Sequence, residues 1–142
     1  MPDVFAISDA SRTTAAVLIL SIVVIETGGL YLLSIHRGRV QRTPFQLAFA
    51  RAGHAHAGVL VTLSLVVQLF ADATALAEPW SLVARSGIPA AAILMPVGFF
   101  ASSWGAGRTA PSGLVAIVYV GAAFLAFGAL ALGIGLLVAP AR

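Results

Sequence analysis

The sequence predicts an all-α integral membrane protein whose four transmembrane helices form an up-down bundle, and three observations carry that prediction. The 142 residues are 60% hydrophobic and only 9% charged, with a mean hydropathy of +1.02, whereas soluble domains run roughly 45–50% apolar and about 25% charged. Charged residues are missing between Arg108 and Arg142, between His56 and Asp72 and between Arg85 and Arg108, and only Glu26 interrupts the stretch from Arg12 to His36. Each gap holds the ~20 apolar residues that cross a bilayer. Four such segments consume most of the chain, so residues 1–142 read as one membrane domain, and any chemistry sits within the membrane or at its edge.

Helix one is expected from about Thr13 to Ile35, followed by a basic stretch of His36, Arg37, Arg39 and Arg42 and then Pro44. The N-terminus has Asp3 and Asp9 but no early positive cluster, and the apolar run after it is too long for a signal-peptide core, so this helix reads as retained. Helix two is expected from about Leu47 to Ala71, and helix three from about Ile88 to Trp104. Pro89 then falls near the first turn of helix three, and Pro96 bends its interior, where an N–H is missing. Helix four is expected from about Leu114 to Ala139, ended by Pro140. Short connections make consecutive helices antiparallel neighbours, and Trp80 and Trp104 sit at segment ends as interfacial aromatics do. The small residues of helix four, among them Gly121, Gly128 and Gly135, suit close helix packing more than a dedicated dimer motif.

Composition also excludes chemistry. Cysteine is absent, which removes disulfides, iron–sulfur clusters, thiolate-ligated haem and cysteine nucleophiles. The net charge of +3 rests on arginines spread over loops and ends, with no lysine, so nucleic acid is not a partner.

Few polar residues remain within the spans. Glu26 lies near the middle of helix one, where a charged side chain costs roughly 2.5–3.5 kcal/mol unless it is paired. In an antiparallel hairpin turning near Gln41, residues whose numbers sum to about 82 lie level, and Glu26 then faces His56. The sharpest local signal is Arg51-Ala52-Gly53-His54-Ala55-His56-Ala57-Gly58. On a regular helix, residues two apart point about 200° apart, so His54 and His56 serve two different faces and do not grip one ion together. Neutral imidazole is the usual nitrogen ligand of haem iron, zinc and copper.

This pattern of four helices with His-x-His in the second resembles one third of the large subunit of the haem–copper oxidases and nitric oxide reductases. The His-Ala-His segment also resembles that of twelve-helix membrane haem proteins linked to nitric oxide resistance. In the oxidases the corresponding pair binds two different haems on opposite sides of its helix. The resemblance implies haem b on His54 and His56, a homotrimer in which His54 of one chain and His56 of the next share a cofactor, and Arg51 and Arg108 as partners of the haem propionates. It implies electron transfer or the binding of O2 or NO, a prokaryotic inner-membrane location, and an electron donor or larger respiratory complex as partner. Helices three and four contain no histidine, so a copper–haem centre and proton-pumping oxygen reduction are not implied.

Two other readings stay open. One is an intramembrane transition-metal or proton transporter built on Glu26 and His56, which binds a divalent ion without porphyrin. The other is a cofactor-free accessory subunit. Orientation stays open as well: five arginines on the connections one–two and three–four oppose Arg12, Arg85 and Arg142, which puts both termini outside, whereas the resemblance puts them in the cytoplasm. Whether the protein is an enzyme is not decided by sequence.

Overall fold

The computed structural model describes residues 7–140; Asp3 and Arg142 lie outside them. The chain folds into α1 (Asp9–His36), α2 (Pro44–Asp72), α3 (Trp80–Ser102) and α4 (Ala116–Val138), with a short 3₁₀ turn at Gly113–Val115 leading into the last. All four helical segments are long and apolar enough to cross a membrane. Two helix starts lie upstream of the sequence-based expectation because side-chain caps extend them. Ser8 Oγ accepts the backbone N–H of Ser11 at 3.2 Å and opens α1. Thr43 and Gln46 form a reciprocal capping box around Pro44 and open α2.

The start of α3 is corrected by eight residues, from about Ile88 to Trp80. Pro89 is an interior residue, not a first-turn one. A proline inside a helix withdraws the N–H that the carbonyl four residues earlier would accept, here that of Arg85. The loss is made good from a neighbour: Gln68 of α2, 2% exposed, donates its Nε2–H to the Arg85 carbonyl at 3.0 Å. A freed backbone acceptor in an apolar medium is tolerated where a neighbouring helix satisfies it, and α3 continues through the proline for that reason. The helix ends at Ser102, before Trp104, and Gly105 in the following turn has a φ of +115°. Trp80 and Trp104 are both exposed at the ends of this span.

The helices pack in chain order as antiparallel neighbours. α3 and α4 approach most closely, and glycine makes that possible. A Cβ placed on Gly87 would lie 2.7 Å from Gly128 Cα and 2.8 Å from the Phe124 carbonyl oxygen. Gly121 lies under Met95 and Gly135 under Leu76. These three glycines of α4 recur every seventh residue, so one seam of the helix is spent on packing within the chain. The buried core runs along this seam and α2, through Leu60, Val67, Ala84, Ile88, Ala91 and Leu132.

α1 is held differently. Only Ser11 and Leu18 of its residues are buried, and it packs along α2 while standing away from most of α3. Its N-terminal end is pinned by a polar cluster that sequence reasoning did not find. Arg85 Nη1 pairs with Asp72 at 2.6 Å and donates to Ser11 Oγ at 2.6 Å. Asp72 in turn accepts the Ser8 backbone N–H at 2.9 Å and its hydroxyl at 2.8 Å. At the other end of the bundle the start of α2 is tied to the α3–α4 connection: Gln46 Nε2 donates to the carbonyls of Ser103 (3.1 Å) and Gly105 (2.6 Å), and Thr43 donates to the Arg108 carbonyl.

Candidate functional site

Because α1 and α3 diverge while both flank α2, a groove opens between them with α2 as its floor. Its volume is about 1150 Å³, above the roughly 300–1,000 Å³ of ordinary small-molecule pockets. It runs from Thr13 and Thr14 near the terminal end to Tyr31 and Arg42 at the loop end. Eighteen helical residues at 1.5 Å each make that about 27 Å, close to the ~30 Å hydrocarbon thickness. The floor is small and apolar at Ala50, Ala57 and Val61, with His54 among them.

His54 points toward α1. A Cβ on Gly28 would lie 3.1 Å from its Nδ1, and one on Gly29 would lie 3.5 Å from its Cε1. The Gly28–Gly29 pair is therefore a cradle that only the absence of side chains provides. The numbers 28 and 54 sum to 82, the register expected of the hairpin. His54 makes no hydrogen bond to any of the described residues; its Nδ1 lies against Gly28 and its Nε2 against Gly29, 3.6 Å from where a Cβ would stand.

His56 faces elsewhere. Its ring stacks against Phe99 of α3 with centroids 5.0 Å apart, and it does not line the groove. Its Nδ1 lies 2.7 Å from the Ala52 carbonyl. A carbonyl only accepts, so Nδ1 carries a proton, and in the neutral ring the lone pair is then on Nε2. That is the tautomer which histidine ligands adopt when a second contact fixes them. The pair thus opens on two sides of α2, as the 200° between residues i and i+2 requires.

The remaining sequence candidates are scattered. Glu26 is exposed on α1 and forms neither a hydrogen bond nor an ion pair among the described residues. It is level with His56, but it points about 200° around the helix from Gly28, away from α2's groove face. No group of three or more His, Cys, Asp or Glu able to hold a metal ion occurs among the described residues. Arg51 lies outside the groove, in a smaller recess shared with His36. Arg108 turns its Nε to the Trp104 carbonyl at 2.8 Å and closes its own loop. The cation that does line the groove is Arg42, whose Nε donates to Tyr31 Oη at 2.7 Å. The hairpin register could have found it, since Arg42 sits at the turn beside the helix-one face that carries Gly28.

Electrostatically the groove holds one guanidinium and one imidazole, and no carboxylate lines it among the described residues. It therefore favours a large apolar ligand with an acidic edge directed at Arg42. A planar porphyrin with two carboxylates has that character, and His54 is the imidazole on the groove wall at mid-depth. A bare divalent ion, which needs several donors at one point, finds only one here. Comparison of the chain with protein-family models, with curated proteins and with solved structures finds no match.

Proposed function

We propose that the protein is a membrane haem-binding protein of the prokaryotic inner membrane, in which His54 ligates haem b seated in the α1–α3 groove. The observation that carries this reading is the unpartnered His54 imidazole, lying on Gly28–Gly29 inside a large groove with no acidic residue. His56 leaves its own chain's groove untouched, and in this reading its Nε2 supplies the second axial position to a neighbouring copy. A homotrimer in which each interface pairs His54 of one copy with His56 of the next satisfies both directions, and the resemblance to an oxidase repeat unit favours that number.

Bound haem would supply a one-electron carrier when both axial positions are filled, and an open site for O2 or NO when only one is. The residues of this chain do the rest. Tyr31 holds Arg42 at the groove mouth, where its planar donors suit carboxylates. Phe100, Val61 and Val97 exclude water from the groove. The Ala52 carbonyl keeps His56 in the tautomer whose Nε2 has a free lone pair.

The test is an absorption spectrum of protein purified from haem-replete cells, in oxidised and reduced forms. A Soret band is expected in the wild type and lost in His54→Ala. It is also expected to be lost in Gly28→Val, whose side chain crowds His54 Nδ1 while leaving both histidines in the chain. A colourless wild type overturns the proposal, and so does a band that survives His54→Ala unchanged. The Glu26–His56 transporter and the cofactor-free subunit have no comparable contact in their favour.

A further inference from the structure

The arginine that the groove does not use has a setting of its own. Arg51 and His36 share a recess of about 340 Å³ between the end of α1 and the start of α2, walled by Leu32, Leu33, Ile35 and Leu47. Arg51 stands seven residues inside α2, about 10 Å below its first residue. It is exposed and makes no hydrogen bond or ion pair among the described residues. Its Cα–Cβ bond tilts toward the helix N-terminus, so a long side chain at this position rises along the recess toward the loop end. His36 is exposed at the upper rim. An apolar crevice with two nitrogen-rich side chains at its top therefore opens sideways, on a different face from the groove.

Charge at this end of the molecule is one-sided. Arg37, Arg39 and Arg42 follow directly in the connecting loop, and Arg108 lies across from them. Of the described acids, Asp9, Asp72 and Glu78 lie at the opposite end, where Asp72 neutralises Arg85, and Glu26 stands midway along α1. The loop end is left with several uncompensated cations beside an apolar crevice at the depth where headgroups meet acyl chains. We propose that this recess is a binding site for an anionic phospholipid. Its phosphate lies between Arg51 and His36, and the first carbons of an acyl chain run down Leu32, Leu33 and Leu47. Basic pockets between transmembrane helices take anionic headgroups by this combination of charge and apolar wall. The site is separate from the groove and does not rest on the haem reading.

The test is native mass spectrometry of haem-free protein from micelles holding phosphatidylglycerol and phosphatidylcholine with the same acyl chains. Wild type is expected to retain phosphatidylglycerol preferentially. Arg51→Gln is expected to lower that retention about fivefold, the worth of one interfacial cation, while Arg51→Lys keeps most of it. Leu47→Trp fills the crevice, leaves every charge in place and is expected to lower retention as well, which keeps the test decisive if Arg51→Gln folds poorly. Arg12→Gln, at the other membrane side, is expected to change nothing. Equal retention of the two lipids overturns the proposal, as does an Arg12→Gln effect as large as that of Arg51→Gln. Displacement of the lipid by millimolar inorganic phosphate overturns it too, because the recess would then be a simple anion site.

Discussion

The bond from Gln68 to the Arg85 carbonyl explains why α3 runs through Pro89, and it can be tested by a double-mutant cycle. Gln68→Leu keeps nearly the same volume at a 2%-exposed position and removes the donor, together with the Oε1 that accepts from Ser11 Oγ at 3.4 Å. The Arg85 carbonyl then has no partner, since Pro89 has no N–H to offer. A buried unsatisfied acceptor costs about 1–3 kcal/mol. Interhelical hydrogen bonds in membranes average about 0.6 kcal/mol and reach about 1.7. This one serves a carbonyl without a helical donor, so about 1.5 kcal/mol is expected. In a Pro89→Ala background the new N–H reaches the same carbonyl, and Gln68→Leu should then cost about 1 kcal/mol less, the loss of the Ser11 contact being common to both backgrounds. The coupling between the two sites is therefore about 1 kcal/mol, well inside the range seen for residues in one network. Unfolding in mixed micelles, followed by the loss of helical circular dichroism, measures all four proteins. Strict additivity of the two substitutions would refute the reasoning.

Other expectations follow from named contacts. Gly87→Ala places a methyl 2.7 Å from Gly128 Cα and is expected to destabilise by about 2 kcal/mol or more, within the range for overpacking; Gly133→Ala meets nothing within 4 Å and should be neutral in the same unfolding assay. Asp72→Asn weakens the 2.6 Å pair with Arg85 and should cost about 2 kcal/mol, as charge-assisted hydrogen bonds do. It should also speed hydrogen exchange in the first turns of α1, which the cluster pins.

Much of this architecture can be read from the sequence, and the reasons for the exceptions are physical. Charge-free gaps locate four helices because an isolated charge is costly in hydrocarbon, and that logic does not depend on packing. The hairpin register also holds, since His54 lies opposite Gly28. Depth is legible in this way, but azimuth is not. Glu26 and His56 are level and still fail to meet, because each points about 200° from the neighbour that does face across the hairpin. The start of α3 is missed because the residue that compensates Pro89 is Gln68, remote in sequence and on another helix. Which arginine borders the groove is not legible for a similar reason. Arg51, Arg108 and Arg42 all lie at the loop end, and only the divergence of α1 from α3 decides which of them borders the groove.

The central claim is that the two imidazoles of one helix turn belong to two different cofactor sites, completed by different copies of the chain. Co-expression of His54→Ala and His56→Ala chains, carrying different affinity tags and purified through both, tests it most directly. Neither variant alone should give the low-spin spectrum of a bis-imidazole haem. Mixed oligomers should regain it, because an interface between an intact His54 and an intact His56 is restored. Doubly tagged oligomers that stay without that spectrum, beside a wild type that has it, would contradict the account.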